Sequence, residues 1–285
     1  MHARSALFDV YGDHLLGRGG VAPVASLIRM LAPLGVQPPA VRTAVSRMVG
    51  QGWLERAETD TGAGYALTPR AAARLRQAGD RIYRRAVRAW DGQWHVHVLD
   101  PIRDRGRRER VRNQLRFLGL APLSDSTWVG AHPNAEVDQL LTAEGLTSVH
   151  LTTEHIAPGA RLLEAFAVAD LGRQYDAWLA SARRLVEPVT EGDGDQACFV
   201  ARSELVHEWR KFLFADPMLP SSLLPADWSG EVAAAYFTEH AGRLLPAATR
   251  FVDACLASEP AGQHAPHHAR HRSSDRSLDR AGAAR

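Results

Sequence analysis

Apolar residues recur at helical spacing near the middle of the N-terminal third of the chain. They stand at positions i, i+3, i+4, i+7 and i+8 of one segment: Val41, Ala44, Val45, Met48 and Val49. This spacing places them on one face of an α-helix. Pro38 stands in the first turn, where a residue without an N–H loses no hydrogen bond, and Gly50 closes the segment. The pattern predicts an amphipathic helix over residues 38–50.

The polar residues of the same segment share the opposite face. They are Arg42, Thr43, Ser46 and Arg47. Guanidinium and hydroxyl groups on one exposed stripe suit phosphate oxygens and base edges in a DNA major groove. The alternative for this segment taken by itself is an amphipathic helix with a solvated polar face.

The flanking segments favour DNA recognition. Upstream, residues 24–31 show a second short apolar stripe and are followed by Gly35, which predicts a helix-turn-helix. Downstream, residues 53–56 and 65–67 read as two strands joined by a turn over residues 59–64. A β-hairpin directly after the second helix predicts a winged helix-turn-helix.

The rest of the chain divides into a central α/β segment and a helical C-terminal segment. A first helix is expected over residues 3–16, and a linker helix with an arginine-rich face from Pro69 to about residue 85. The central segment shows the order βαββαβ, with strands near 94–99, 120–123, 127–131 and 147–153 and helices near 104–118 and 134–144. This order is typical of a ferredoxin-like fold. Helices are then expected over residues 170–187, 196–214 and 231–257.

The fold class predicted from these patterns is α+β, in four parts. They are a winged helix-turn-helix domain with its linker helix (1–88), a ferredoxin-like domain (89–158), a mainly helical domain for ligand sensing and dimerisation (159–260) and a disordered tail (261–285). The tail is rich in His, Arg, Ser and Ala, a composition that cannot bury a core.

Several motifs along the chain belong to one recognisable pattern. They include Asp9-Val10-Tyr11-Gly12-Asp13, Arg18-Gly19-Gly20, Ala40-Val41-Arg42-Thr43-Ala44-Val45-Ser46-Arg47-Met48, Gly52-Trp53-Leu54, Trp90-Asp91-Gly92-Gln93-Trp94, Asp216-Pro217-Met218-Leu219-Pro220 and Leu223-Leu224-Pro225-Ala226-Asp227-Trp228-Ser229-Gly230. Together they resemble the PaaX-type repressors of phenylacetic-acid degradation. The resemblance covers nearly the whole chain except the tail. It departs from the family at Gln37-Pro38, where the family more often has a Ser-type helix cap.

The distribution of charge agrees with a DNA-binding head on a body that does not bind DNA. The 285 residues carry a net charge of +2, but residues 1–90 hold 13 Arg against 6 acidic residues. Residues 191–260 hold 4 Arg and 1 Lys against 11 acidic residues. A basic N-terminal third is the electrostatic pattern expected of a nucleic-acid-binding domain.

These observations give a set of expected DNA contacts in the N-terminal domain: Arg42, Thr43, Ser46, Arg47, Arg18, Arg29, Arg56 and Tyr65. A homodimer is expected, because helix-turn-helix proteins match two-fold symmetric half-sites. The two cysteines give no disulfide framework and no metal-ligand spacing. We expect a cytoplasmic protein with no membrane span, no metal and no cofactor.

The resemblance also implies an aryl- or acyl-CoA thioester as the small-molecule effector, phenylacetyl-CoA being the type ligand of the family. The residues point to no effector site by spacing alone. Candidate polar groups lie on a C-terminal helix that is otherwise lined with aromatic residues: His207, Arg210 and Lys211. Pairing of Arg210 and Lys211 with nearby acidic residues explains these charges equally well.

Two other classes of function remain open on the sequence. The central domain implied by the resemblance is similar in fold to small CRISPR-adaptation nucleases, and Asp100 ends its first strand, where those enzymes keep a metal-binding carboxylate. One carboxylate is a weak indication of a magnesium site. An RNA-binding module would need aromatic residues on the sheet, and the strands offer mostly His, Val and Leu. His95 and His97 share one strand face and are expected at a surface or in an interface.

Overall fold

The computed structural model describes residues 1–59, 62–83 and 90–257. The strands within these ranges form two antiparallel sheets, one of three strands and one of four, and helices make up most of the rest. The α+β class agrees with the sequence prediction. The predicted tail, residues 261–285, lies outside the described residues, as do residues 84–85 at the predicted end of the linker helix.

The N-terminal head is a winged helix-turn-helix. Its elements are α1 (Ala3–Val10), β1 (Val21–Pro23), α2 (Val24–Leu31), α3 (Pro38–Gly50), β2 (Leu54–Thr59), β3 (Gly62–Leu67) and α4 (Pro69–Ile82). Helical turns continue from the end of α1 to Arg18, so the predicted first helix is longer and less regular than expected. β3 lies between β1 and β2. Gly64 is required there, because a Cβ would lie 2.8 Å from the Ala22 carbonyl oxygen.

Gly35 makes the tight turn between α2 and α3 possible. Its φ of 76° lies in the left-handed region that favours glycine. Its N–H donates to the Ala32 carbonyl at 3.0 Å, and the N–H of Val36 donates to the Leu31 carbonyl at 3.2 Å. Val36 itself is buried, so the chain returns to the core before α3 begins.

The central domain has the predicted order βαββαβ. Its elements are β4 (Trp94–Leu99), α5 (Arg105–Phe117), β5 (Ala121–Pro122), β6 (Thr127–Gly130), α6 (Ala135–Ala143) and β7 (Ser148–Thr153). The strands lie in the order β5-β6-β4-β7 and all pairs are antiparallel, which is the ferredoxin-like arrangement. The two helices pack on one face of the sheet, where Leu99 and Trp128 meet Val111 and Val137.

The other face of this sheet is only partly covered. Trp94 and Val129 pack against Phe166 of the segment that leads into the C-terminal domain. Towards the edge strand β7 the cover ends. Val98, Val149 and Leu151 are 37%, 57% and 52% exposed.

The C-terminal domain is helical. Its elements are α7 (Gly159–Ala165), α8 (Val168–Val186), α9 (Asp195–Trp209), α10 (Phe212–Ala215) and α11 (Ser229–Ala257). The single helix predicted over residues 196–214 is therefore interrupted after Trp209. On either side of the break, the Trp209 ring stacks on Phe237 at 4.8 Å and the Phe212 ring stacks on Tyr175 at 4.0 Å.

The head and the C-terminal domain share one hydrophobic cluster. Phe199 of α9 and Ala248, Val252 and Cys255 of α11 pack with the core of the winged helix-turn-helix. The sequence pattern treats residues 1–88 and 159–260 as separate parts and does not show this contact. The head is therefore held against α9 and α11 and is not attached by a linker alone.

Candidate nucleic-acid interface

Helix α3 is held rigidly by its apolar face. Val41, Ala44, Val45 and Met48 are at most 7% exposed and pack in the core of the head with residues of α2 and β2. The four polar side chains predicted to contact DNA are all exposed: Arg42, Thr43, Ser46 and Arg47. A fixed helix with one free polar face is what insertion into a major groove requires.

The backbone N–H groups at the N-terminus of α3 need no side-chain cap. Gln37 makes no side-chain cap, and the helix begins at Pro38. Pro38 and Pro39 have no N–H groups, so two of the donors that a cap normally satisfies do not exist. The Gln37 carbonyl accepts hydrogen bonds from the N–H groups of Ala40 at 3.0 Å and Val41 at 3.1 Å. The departure from a Ser-type cap therefore leaves the start of the helix well defined.

The wing places Arg56 and Tyr65 side by side. These two residues are direct partners in the β2–β3 pairing. Arg56 is exposed, and Tyr65 is half-buried against the head core. The Tyr65 carbonyl accepts a hydrogen bond from the Tyr11 hydroxyl at 2.9 Å, which ties the wing to the end of α1.

Arg18 and Arg29 use their side chains in contacts with α11. Arg18 Nη2 lies 2.9 Å from Asp253 Oδ1, and Arg18 Nη1 donates to the His14 carbonyl at 2.6 Å. Arg29 donates twice to the Cys255 carbonyl, at 3.1 and 2.6 Å from Nε and Nη2. These donors connect the head to the C-terminal domain. They do not belong to the exposed polar face of α3.

The three candidate effector residues are brought together, and they face the head. His207, Arg210 and Lys211 line a cleft of about 450 Å³ with Arg4, Ser5 and Phe8 of α1. Asp9 of α1 binds two of them: its Oδ2 lies 2.7 Å from His207 Nδ1 and its Oδ1 lies 2.9 Å from Arg210 Nε. The alternative of local pairing holds for Lys211, whose Nζ lies 2.5 Å from Glu208. The cleft thus lies at the contact between a head helix and α9.

A second polar contact between the two domains is buried. Arg202 of α9 binds both carboxylate oxygens of Asp13, at 2.7 and 2.9 Å, and its Nη2 donates to the Tyr83 hydroxyl at 2.9 Å. Burial by itself raises the pKa of Asp13, but Arg202, His14 and the Tyr83 hydroxyl outweigh it, and the pKa lies below its ordinary value. Both partners stay charged. No feature of the local sequence marks this pair, because Asp13 and Arg202 lie in different domains.

Comparison with known proteins decides the family. Three family models match consecutive parts of the chain: the PaaX-like protein model (residues 2–71), the PaaX protein central Cas2-like domain (87–161) and the PaaX-like protein C-terminal domain (166–254). The chain is 30% identical to the transcriptional repressor PaaX of Escherichia coli strain K12 over 260 residues, 87% of this chain and 82% of that protein. The chain belongs to the PaaX family.

A solved structure supports the same assignment for the fold of this PaaX-family chain. An uncharacterised protein from Mycobacterium tuberculosis matches it with a TM-score of 0.58 and 26% identity, covering 89% of this chain and 98% of the other. In the described ranges, no helix has the length and hydropathy that crossing a membrane requires.

Among the described residues of the Cas2-like domain, neither Asp100 nor the histidines of β4 belong to a group of residues that could bind a metal ion. Asp100 is exposed just after β4. In the part of the chain that the structure describes, no three His, Cys, Asp or Glu residues are positioned to hold a metal ion. His95 and His97 are 8% and 5% exposed, so of the two predicted positions the surface is wrong and the interface stays a prediction. His97 stacks on His150 of the neighbouring strand β7 at 4.4 Å, and His95 Nδ1 lies 3.2 Å from His150 Nε2.

Proposed function

We propose that this protein is a transcriptional repressor that reads operator DNA with α3. The observation that carries the proposal is the exposed stripe of Arg42, Thr43, Ser46 and Arg47 on a helix whose other face is locked in the head core. The name of the Escherichia coli relative, a transcriptional repressor, supports the same reading. A repressor of this kind would act in the cytoplasm of a bacterium such as that of its Escherichia coli relative.

Each side chain of this surface has a role that follows from its chemistry. Arg42 and Arg47 present planar guanidinium groups, which bind guanine or phosphate in a bidentate manner. Thr43 and Ser46 add short hydroxyl groups that donate to or accept from bases and phosphates. Arg56, on the exposed side of the wing, contacts the DNA backbone next to the base pairs that α3 reads, and Tyr65 lies beside it. Arg18 and Arg29 are left out, because α11 engages their guanidinium groups.

We further propose that the protein acts as a homodimer, which would present two copies of α3 to a palindromic operator. The edge strand β7 supports this, since Val149 and Leu151 are exposed beside Val98 on one sheet face. Residues 148–153 contain no Asp, Glu, Lys or Arg, and charged side chains are a common protection of edge strands against pairing. Sedimentation of the purified chain tests this part independently of DNA binding.

The cleft between α1 and α9 is the proposed effector site, and the proposed ligand is an aryl- or acyl-CoA thioester such as phenylacetyl-CoA. Arg4, Arg210 and Lys211 offer cationic groups to phosphates, and the Phe8 ring offers an apolar surface. In the structure, the Asp9 carboxylate binds the side chains of Arg210 and His207. A ligand that takes over these donors weakens the contact between head and body, and it thereby shifts the population away from the DNA-binding form.

A gel-shift titration on the upstream region of its own gene tests the proposed function. We expect a retarded complex at nanomolar protein that excess unlabelled upstream DNA removes and an unrelated duplex of equal length does not. Phenylacetyl-CoA added to the preformed complex is expected to release the DNA. Incubation of the same duplex with Mg²⁺ tests the nuclease alternative at Asp100, and appearance of cleaved strands would support that reading over the repressor.

A further inference from the structure

Helix α5 of the central domain is strongly basic, although it lies outside the winged helix-turn-helix. Residues 103–117 hold seven Arg and two acidic residues. The arginines are Arg103, Arg105, Arg107, Arg108, Arg110, Arg112 and Arg116. Asp104, one of the two acids, caps the helix by accepting from the Arg107 N–H at 2.6 Å. The basic charge of the chain is therefore not confined to the head.

Among the residues that the structure describes, most of these arginines have no acidic partner. Arg107 lies 3.3 Å from Glu144, and Arg112 lies 3.7 Å from Asp125, a residue that is 97% exposed. Within residues 1–59, 62–83 and 90–257, four exposed guanidinium groups of this segment have no ion pair or hydrogen bond: Arg103, Arg105, Arg110 and Arg116.

The spacing of the arginines along α5 brings positive charges close together. Arg108, Arg112 and Arg116 follow at four-residue intervals, which places their side chains next to each other along the helix. Like-charged pairs at this spacing destabilise a helix. Val111 and Leu115 are the buried residues that hold α5 on the sheet. A bound polyanion along the exposed side would relieve the repulsion.

The C-terminal end of α5 contacts α4, the helix that follows the wing. The Arg74 guanidinium of α4 lies over the ring of Phe117, the last residue of α5, at 5.3 Å from its centroid. Arg70 and Arg74 are exposed, one helical turn apart, and Arg74 also lies 3.7 Å from Glu136 of α6. α4 itself begins two residues after wing strand β3 ends. The exposed arginines therefore continue from the wing along α4 to the end of α5.

From this continuity we propose that α5, with Arg70 and Arg74 of α4, is a second DNA-contact surface that binds the phosphates of duplex DNA outside the sequence read by α3. The proposal rests on the proposed DNA-binding function. The guanidinium groups of α5 are on the central domain, and phosphate contacts carry no base information. This surface adds affinity and length to the binding site and leaves the choice of sequence to α3.

The test is the salt dependence of DNA binding by the full chain with Arg105→Gln and Arg116→Gln combined. Each neutralised phosphate contact contributes about 0.9 to the slope of log affinity against log salt. We expect the slope to fall by about two, and affinity for specific and unrelated long duplexes to fall by the same factor. The matched control is Arg173→Gln with Arg184→Gln, two exposed arginines on α8. Its slope is expected to equal that of the wild type.

The outcomes separate this inference from the proposed function. Wild-type protein that binds no duplex defeats the proposed function itself. Wild-type protein that binds, together with an α5 variant whose slope matches the control, overturns only the second surface. A slope loss seen with single-stranded RNA and not with duplex DNA also overturns it. Thermal unfolding of the α5 variant should match or exceed that of the wild type, because the substitutions remove repulsion.

Discussion

Asp13 and Arg202 form an ion pair across the boundary between the DNA-binding head and the C-terminal domain, and both are nearly inaccessible to solvent. The carboxylate accepts from Nε and Nη2 of the guanidinium at 2.9 and 2.7 Å, and Tyr83 at the end of α4 joins the pair. Together with the contacts of Asp9 with His207 and Arg210, this pair fixes the orientation of the head.

Removal of one partner of the buried pair is expected to destabilise the protein strongly. Arg202→Met leaves the Asp13 carboxylate buried without its counterion, which typically costs about 3–5 kcal/mol. Asp13→Asn with Arg202→Met removes both charges and should recover part of that loss. Urea unfolding of the three proteins measures this. Equal stability of Arg202→Met and wild type would show that the pair contributes nothing.

Acidification is expected to weaken the fold through His14. Burial lowers the pKa of this histidine and outweighs the opposing effect of Asp13, whose Oδ2 lies 3.3 Å from His14 Nε2; the charges of Arg202 and Arg18 lower the pKa further. The unfolded chain therefore binds a proton near pH 6.5 that the folded chain resists, so stability falls as pH drops below that value.

His14→Phe should remove this part of the pH dependence, because phenylalanine fills the site beside Phe199 without a titrating group. Melting temperatures of both proteins between pH 5 and 7 are the measurement. The melting temperature of the wild type should fall more than that of the variant as the pH is lowered. Parallel curves would contradict the assignment to His14.

The effector cleft is expected to control release of DNA without contributing to its binding. Arg4→Gln with Lys211→Gln removes two cationic groups of the cleft and leaves the Asp9–Arg210 pair in place. Operator affinity without effector should stay within about twofold of wild type, while release by phenylacetyl-CoA should need roughly tenfold more ligand, a loss of about 1.4 kcal/mol. The α8 variant, Arg173→Gln with Arg184→Gln, is the control. An unchanged release curve would place the effector elsewhere.

The sequence predicts the exposed face of α3 better than it predicts the contacts between domains, and the reason is physical. The exposed residues of α3 follow from a local period of 3.6, which the sequence records directly. The roles of Arg18 and Arg29 depend on α11, more than 200 positions away, and no local pattern reports such a pairing. The rings on either side of the break after Trp209 likewise contact Tyr175 and Phe237 of other helices, which the local sequence does not report.

The central claim is that α3 is the DNA reader, and the affinity of Arg42→Ala with Arg47→Ala for operator DNA tests it most directly. Both residues are exposed, so the double variant should unfold within about 0.5 kcal/mol of wild type for each substitution. Val45→Asp, on the buried face of the same helix, should instead unfold the head, because it buries an unpaired carboxylate.

Operator affinity measured over a range of salt concentrations distinguishes the modes of contact. Each arginine that reads a base should contribute roughly 1–3 kcal/mol to operator binding and little to an unrelated duplex. If an arginine contacts only phosphate, all sequences should lose affinity alike and the log–log salt slope should fall by about one. We expect the folded double variant to lose at least tenfold in operator affinity. Wild-type affinity in this variant would contradict the assignment of α3 as the reader.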